Sequence, residues 1–482
     1  MTHTRRFVRI PLVMVLTVAL TVPAWYGGSE TAAAAPALNV APTNPVHREF
    51  IHLSGRFGTR VARPVRVQYY NGNRWVGLTQ GRTDNQGRFR LRTRAVAPSR
   101  LFRVVAPRAT INGRTYKAAR TANRRVRTVK PTAALRLVPA PVGQAKNTTT
   151  SNLTPAELRF RPVRAGRKVV LQRYRNGAWR NVASATQNRQ GRAHFNIATS
   201  AARKFRHRAV TVKYRGAPAV RSQATTAVRK KLLFSDNFNG SALNTDKWGY
   251  RQLGLRNPGS RQCAESSRSA VAVNNGKLRL QVRKIARTNA RYDLTKEADG
   301  TCPHGQFFNG HIGTQGKFDT RYGFMAARIR FPAGQGQHGA FWSQPNSGPG
   351  AEIDIVEYFG NGFPNRRTQG VPAGASALQH TIYWRQADGS LGKAGGLFDL
   401  RRLLGKDKTW SNSYHIYSVE WTPSVYIFRV DGHETFRTKR GRSSQHQYLI
   451  MSLLTSDWEI PNLNQSTLPT TMLVDWVRVW QR

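Results

Sequence analysis

Apolar and polar residues along this chain alternate at a period of two far more often than they recur at helical spacing. Near the front, Val65, Val67 and Tyr69 alternate with Arg66 and Gln68, and Phe89 and Leu91 alternate with arginines. Asn-Gly and Gln-Gly turns separate such runs, as expected of short antiparallel strands. From 232 onward the runs lengthen: "KLRLQVRK" (277–284), "YGFMAARIRFP" (322–332), "AEIDIVEYF" (351–359), "HTIYW" (380–384), "YHIYSVEW" (414–421), "VYIFRVDG" (425–432), "YLIMSLL" (448–454) and "MLVDWVRVW" (472–480). No long stretch carries a helical period. The pattern predicts an all-β chain whose C-terminal part packs two antiparallel sheets as a jelly-roll β-sandwich.

The front half uses one plan twice. "RPVRVQYYNGNRWVGLTQGRTDNQGRFRLRT" (63–93) matches "RKVVLQRYRNGAWRNVASATQNRQGRAHFNIAT" (167–199), with Gln68/Gln172, Tyr70/Tyr174, Trp75/Trp179 and Gly87/Gly191 all offset by 104. A period near 100 residues made of short strands predicts two N-terminal β-sandwich modules resembling immunoglobulin-like domains. They are placed at 36–130 and at 131–231, the second including a linker around "TAVRKK" (226–231), ahead of a third domain at 232–482. The Trp and Tyr of each copy are read as core anchors in preference to sugar-stacking platforms.

Composition changes this picture at the N-terminus and in the charge. Residues 1–35 read as a secretion signal: Arg5, Arg6 and Arg9 precede an apolar run from Ile10 to Val22, and "TAAAAPA" (31–37) supplies small residues suited to a signal peptidase. A membrane anchor is the alternative, but the run is shorter than the roughly 20 residues a bilayer needs. The expectation is a secreted, extracellular monomer. Of the net charge of +54, residues 36–230 hold 42 Lys and Arg against three acids, Glu49, Asp84 and Glu157, whereas 231–482 hold 32 against 19. A basic surface outside the cell attracts anionic polymers. Because no nucleic-acid-reading motif accompanies it, the partner expected is an anionic cell-wall polymer or acidic glycan, with a merely solubilising stalk as the alternative.

The two cysteines, Cys263 and Cys302, are expected to form a disulfide in that compartment. Two separate buried thiols would be the other arrangement. No His-Glu-x-x-His zinc motif occurs; "HET" (433–435) stops short of one.

One strand carries the chemistry. "AEIDIVEYFG" (351–360) places Glu352, Asp354 and Glu357 among Ile353, Ile355 and Val356. The aliphatic residues belong against a core, which puts the acids on the other face, where burying three carboxylates costs stability unless something pairs or uses them. On a flat strand Glu352 and Asp354 share a face and Glu357 points the opposite way. A β-bulge adding Ile355 or Val356 between Asp354 and Glu357 would restore the third acid to the face of the other two. Five residues of flat strand would still separate the glutamate Cα atoms by roughly 16 Å, so side chains must converge on a concave sheet. A carboxyl separation of about 5 to 5.5 Å is that of a retaining glycosidase.

"EIDIVE" resembles the active-site strand of glycoside hydrolase family 16 in its bulged Glu-x-Asp-x-x-Glu form, which occurs in laminarinase-like endo-β-1,3-glucanases and in agarases. The resemblance spans 232–482: "LLFSDNFNGSALNTDKW" is similar to the family's opening, "YGFMAARIRFPAGQGQHGAFW" to its preceding strands, and "YHIYSVEWTPSVYIFRVDG" with "MLVDWVRVW" to its closing ones. It implies Glu352 as nucleophile, Glu357 as general acid/base with a pKa raised by the neighbouring negative charge, and Asp354 as the partner between them. It further implies Trp342, Trp384 and Trp458 as cleft aromatics and His338 and His380 as substrate-binding histidines. No cofactor is required, although a structural calcium near Asp475 is conceivable, with an acid capping a strand as the other reading. The chain departs from the family at His338-Gly339, where Trp-Pro is usual, at Ala351, where Gly is common, and at Ala326, where an acid often stands. These changes fall near the sugar-binding face and bear on which glycan is preferred.

Together these observations favour a secreted, endo-acting, retaining hydrolase of β-linked glucan, with β-1,3 linkages expected. A galactan hydrolase or a transglycosylase on the same fold is the second reading. A wall-attached carbohydrate-binding protein without activity is the third, and the intact set of three acids argues against it.

Overall fold

The computed structural model describes residues 35–138, 153–227, 230–252, 261–360, 377–399, 411 and 413–481. All of the expected signal segment 1–35 except its last residue lies outside them, as do residues 228–229 of the linker. The described chain is all-β, with short helices only at Thr199–Lys204 and Leu294–Ala298 and a few 3-10 turns.

The internal repeat folds as two sandwiches of matching topology. In the first, Asn39–Ala41, Phe50–Arg56 and Arg88–Arg94 form one sheet, and Trp75–Arg82, Pro64–Tyr70, Ser99–Ala106 and Arg124–Arg127 another. In the second, Thr132–Leu137, Leu153–Arg161 and Arg192–Ala198 face Ala178–Thr186, Lys168–Arg175 and His207–Thr211. The inward residues of the alternating pattern make the core, among them Leu158, Phe160, Val169, Leu171 and Phe195 in the second copy. A buried arginine serves each copy identically, Arg63 donating to the carbonyls of Pro107 and Lys117 and Arg167 to those of Val212 and Pro218. The Trp and Tyr expected as anchors are elsewhere. Tyr70, Trp75, Tyr174 and Trp179 are absent from both cores and lie half-exposed on the outer face of a sheet. Register explains it: Val65 and Val67 already fill the inward positions of their strand, so Gln68 and Tyr70 belong to the other face.

Two compact units emerge. One gathers the described residues up to 43 with 51–93 and 99–126; the other holds 44–50, 94–98 and 127 onward, so the second sandwich and the C-terminal domain cluster together.

The C-terminal domain is a jelly roll of two sheets that nearly close on each other. Six strands shape the sheet that matters for function: β1 (Phe307–Gly313), β2 (His338–Pro345), β3 (Ala351–Tyr358), β4 (Ala377–Arg385), β5 (Leu391–Asp399) and β6 (Gln447–Leu454). Their antiparallel order is β1-β6-β2-β3-β4-β5. The second sheet is built around Gly323–Arg330, His415–Trp421, Tyr426–Val430 and Thr470–Trp480. Between the sheets lies the largest core, including Phe341, Ile353, Ile355, Val356, Tyr417, Phe428, Met451 and Val477. Cys263 and Cys302 are bonded, with Cα atoms 5.5 Å apart. Closing a loop of this length contributes roughly 3 to 4 kcal/mol in the chain-entropy treatment.

Candidate active site

The third acid is brought into line by a bulge. Against β2, Phe341 pairs with Val356 and Trp342 with Asp354, leaving Ile355 unpaired; against β4, Asp354 pairs with Thr381 and Glu357 with Gln379. β2 itself is regular, so its residues at even spacing report which way β3 points its acids. His338 Nε2 stands 3.2 Å from Glu357 Oε1, outside the angular range of a hydrogen bond. Gln344, six residues on, donates to Glu352 Oε2 at 2.8 Å. Both glutamates therefore share the face of His338, Trp342 and Gln344, while Ile353, Ile355 and Val356 are sealed in the core.

Each carboxylate has a distinct setting. Glu357 is buried and accepts from Gln379 Nε2 at 2.8 Å and Thr381 Oγ1 at 3.2 Å. Burial pushes it up more than any other single influence, but His338, Gln379 and Thr381 together bring it below the usual glutamate range. This differs from the upward shift expected from its acidic neighbours alone, because the donors around Glu357 were not legible from the strand. Asp354 is buried, its Oδ2 lacks a partner among the described residues and acids stand on either side, so it is held well above the ordinary aspartate range. Glu352 is raised by burial, an effect that donation from Gln344 opposes and the charge of Glu357 reinforces.

The donor on Glu352 is itself held. Arg251 Nη1 donates to the Tyr448 hydroxyl at 2.9 Å, and that hydroxyl donates to Gln344 Oε1 at 3.0 Å. A chain of hydrogen bonds running from Arg251 through Tyr448 on β6 to Gln344 on β2 thus fixes the Gln344 amide toward Glu352. Nothing in the sequence signals it, because the partners are 197 and 104 residues apart.

The expected cleft residues divide. Trp342 lies opposite Asp354, donates from Nε1 to Ser452 at 3.2 Å and stacks parallel to His311. Trp458 is 52% exposed and lies beside Phe359, whose ring stacks on His338. His380 and Trp384 are not on this face. Gln379 and Thr381 reach Glu357, so by alternation His380 and Trp384 point into the sandwich, and the aromatic residue opposite Glu352 is Tyr383. His380 has no exposed surface with which to meet a sugar; its Nδ1 donates to the Ile355 carbonyl at 2.7 Å and Thr435 donates to its Nε2 at 2.9 Å. It fastens the bulge. Gly395 on β5 lies so close to His380 that a Cβ would meet its carbonyl oxygen at 2.0 Å. A further buried acid, Glu459, is also near His338 and is raised chiefly by burial.

Asp475, the residue considered for a structural calcium, is engaged by an arginine. Arg328 Nη1 pairs with its Oδ2 at 2.8 Å, and among the described residues no group of three His, Cys, Asp or Glu is placed to hold an ion.

A jelly roll whose concave sheet carries a bulged row of three acids defines a polysaccharide-directed β-sandwich of the glycoside hydrolase type. Residues 229–482, just over half the chain, match the family described as "Beta-porphyranase A-D, GH16 domain", and the chain belongs to that family. It is similar to glucan endo-1,3-beta-glucosidase A1 of Niallia circulans, 25% identical over 289 residues covering 52% of this chain and 38% of that protein. It is also similar to keratan-sulfate endo-1,4-beta-galactosidase of Sphingobacterium multivorum, 24% identical and covering 52% and 55%. Among solved structures, the laminarinase from Rhodothermus marinus is 22% identical, covering 52% of this chain and 98% of that one, with a TM-score of 0.41. The chain spans about half or less of the length of these curated relatives.

Proposed function

We propose that the protein is an endo-acting, retaining glycoside hydrolase in which Glu352 is the nucleophile and Glu357 the general acid/base. The observation that carries the reading is the bulge at Ile355, which turns both glutamates to one face, each with its own donors. The Glu352 carboxylate attacks the anomeric carbon while Glu357 gives its proton to the departing glycosidic oxygen, leaving a glycosyl ester on Glu352. Glu357 then takes a proton from water, whose oxygen attacks the same carbon and releases Glu352. In the free site burial and the two glutamates hold Asp354 well above the ordinary aspartate range. A bound sugar chain excludes water from the cleft and so adds to the burial that already pushes Glu357 upward.

The substrate reading is a β-1,3-glucan, supported by the named activity of the Niallia relative. A galactan is the second reading, favoured by the family description, by the galactosidase relative and by His338 standing beside the acid/base where the resemblance leads one to expect Trp. In both, Trp342, Tyr383 and Trp458 supply sugar-stacking surfaces, the protein is exported, and the basic modules retain it on an anionic wall polymer. Product analysis on laminarin, lichenan, agarose and xyloglucan tests the reading, with Glu352→Gln and Glu357→Gln as controls. Wild type should release oligosaccharides of retained anomeric configuration from at least one of them, and both variants should lose at least about a thousandfold in kcat. No product from any glycan, or an active Glu352→Gln, would overturn it.

A further inference from the structure

The two basic sandwiches carry the same surface cluster in the same register. On the first, Gln68 pairs across the sheet with Arg103 and Tyr70 with Trp75; on the second, Gln172 pairs with Arg208 and Tyr174 with Trp179. The Arg103 guanidinium lies 3.9 Å over the Trp75 ring and that of Arg208 4.1 Å over Trp179. The Nε of each donates to the glutamine of its own cluster, at 2.9 Å and 2.8 Å. Stack and hydrogen bond fix the plane of the guanidinium, and among the described residues its two Nη groups have no partner.

Neighbouring surface positions differ between copies: Arg66 answers to Val170 and Gly77 to Asn181. The core does not require the glutamine, the aromatic pair or the arginine, since all face away from it. A second arginine attends each cluster, Arg120 in the first and Arg221 in the second. Burial under the stack and repulsion from that neighbour lower both guanidinium pKa values.

No acid of the two modules answers these arginines. Glu49 is held by Arg164 at 2.5 and 2.7 Å, Glu157 by Arg429 at 2.6 Å, and Asp84 accepts the backbone N–H groups of Gln86 and Arg88. A planar, oriented guanidinium with both Nη groups free and a second cation beside it is the complement of a planar or tetrahedral oxyanion. We propose that each module carries one anion-binding subsite of this kind, Arg103 with Arg120 and Arg208 with Arg221, and that together they bind a linear acidic polysaccharide bearing carboxylate or sulfate groups. A polysaccharide fits better than a nucleic acid: each site is one oriented fork on the outer face of a sheet beside an aromatic pair, and the same chain carries a glycan-directed cleft. Two weak sites on one chain bind a repeating polymer more tightly than either alone.

This rests on the reading of the modules as binders of anionic polymers, and the test separates the two. Binding of the full chain, with Glu352→Gln to silence any hydrolysis, is measured at low salt to dextran sulfate, alginate, neutral dextran and a mixed-sequence DNA duplex. Arg103→Ala with Arg208→Ala should weaken binding to dextran sulfate or alginate by about tenfold or more. Arg90→Ala with Arg203→Ala, which removes the same charge elsewhere on the modules, should cost much less. Arg103→Lys with Arg208→Lys, keeping charge but losing the fork, should fall between them, and circular dichroism and melting should show all variants folded. Equal losses in the site and control variants would overturn the subsites while leaving diffuse retention standing. No binding to either acidic polysaccharide would overturn both, and tighter, site-dependent binding to DNA would overturn the assignment to a glycan.

Discussion

His338 stands between two acids, Glu357 at 3.2 Å and the buried Glu459. It is foremost among the groups that hold Glu357 low, ahead of Gln379 and Thr381. A general acid works only while protonated, so a depressed pKa limits activity on the alkaline side: kcat/KM falls as pH rises through the pKa of Glu357. Replacing His338 by Asn removes the foremost of these downward pulls, and Glu357 then keeps its proton to higher pH. The expected result is a basic limb of the kcat/KM profile displaced to higher pH, with the acidic limb, set by Glu352, moved far less. An unmoved basic limb would mean that His338 does not govern the acid. Asp354 follows the opposite logic. Buried, with no partner on Oδ2 among the described residues and flanked by both glutamates, it is pushed well above the ordinary aspartate range, which disfavours a third negative charge in the site.

At the level of elements, the bulge is maintained from below by β4. His380 is a neutral imidazole that donates from Nδ1 to the carbonyl of the extra residue, Ile355, and accepts from Thr435. Burial lowers its pKa to about 4 from the ordinary value of 6.5. Stability is therefore lost as pH falls below 6.5, where the unfolded chain takes up a proton that the folded state refuses until about pH 4. His380→Phe leaves the Ile355 carbonyl and the Thr435 hydroxyl unpaired, at a cost of about 2 to 4 kcal/mol. Misplacing Glu357 relative to Glu352 should lower kcat by about a hundredfold with little change in KM, since sugar-stacking surfaces are untouched. A folded His380→Phe variant with normal kcat would show that the bulge needs no such support. The existence of the bulge and the inward placement of Ile353, Ile355 and Val356 were legible in the spacing of three acids. The face of Trp384 was not, because it depends on which β4 residue pairs with Glu357, a register set by the bulge itself. Nor was the outward face of Trp75 and Trp179, since an aromatic residue in a short alternating strand reads as core until the valines beside it are seen to fill that side.

On the scale of the whole chain, the second sandwich and the jelly roll share a contact that a reading of separate beads would not anticipate. Arg429, with no exposed surface, donates to Glu157 of the sandwich at 2.6 Å and to Glu420 of the jelly roll at 3.1 Å, and Arg136 closes the cluster onto Glu420. Val138 joins Phe324, Ala326, Ile416, Trp476 and Trp480 in an apolar patch beside it. Ala326 therefore belongs to this contact on the second sheet, which accounts for an apolar residue where the family often carries an acid. Burial works against the charge on Arg429, and the two glutamates more than offset it. Burial likewise pushes Glu420 up while Arg429 and Arg136 pull it further down, so its contribution is complete above the ordinary glutamate range and is lost as pH falls. Glu157→Ala leaves the buried guanidinium with one partner, and the loss of half of such a pairing costs about 3 kcal/mol. Arg429→Met combined with Glu157→Leu removes the buried guanidinium together with its half-buried partner and leaves Glu420 with Arg136, so most of that loss should be recovered. Urea is the denaturant to use, because guanidinium would screen the ions being measured. The expected result is a lower urea midpoint for Glu157→Ala, near-wild-type stability for the double variant, and unchanged hydrolysis in both, since the cluster lies on the sheet opposite the cleft. An unchanged midpoint in Glu157→Ala would show that the apolar patch alone holds the two together.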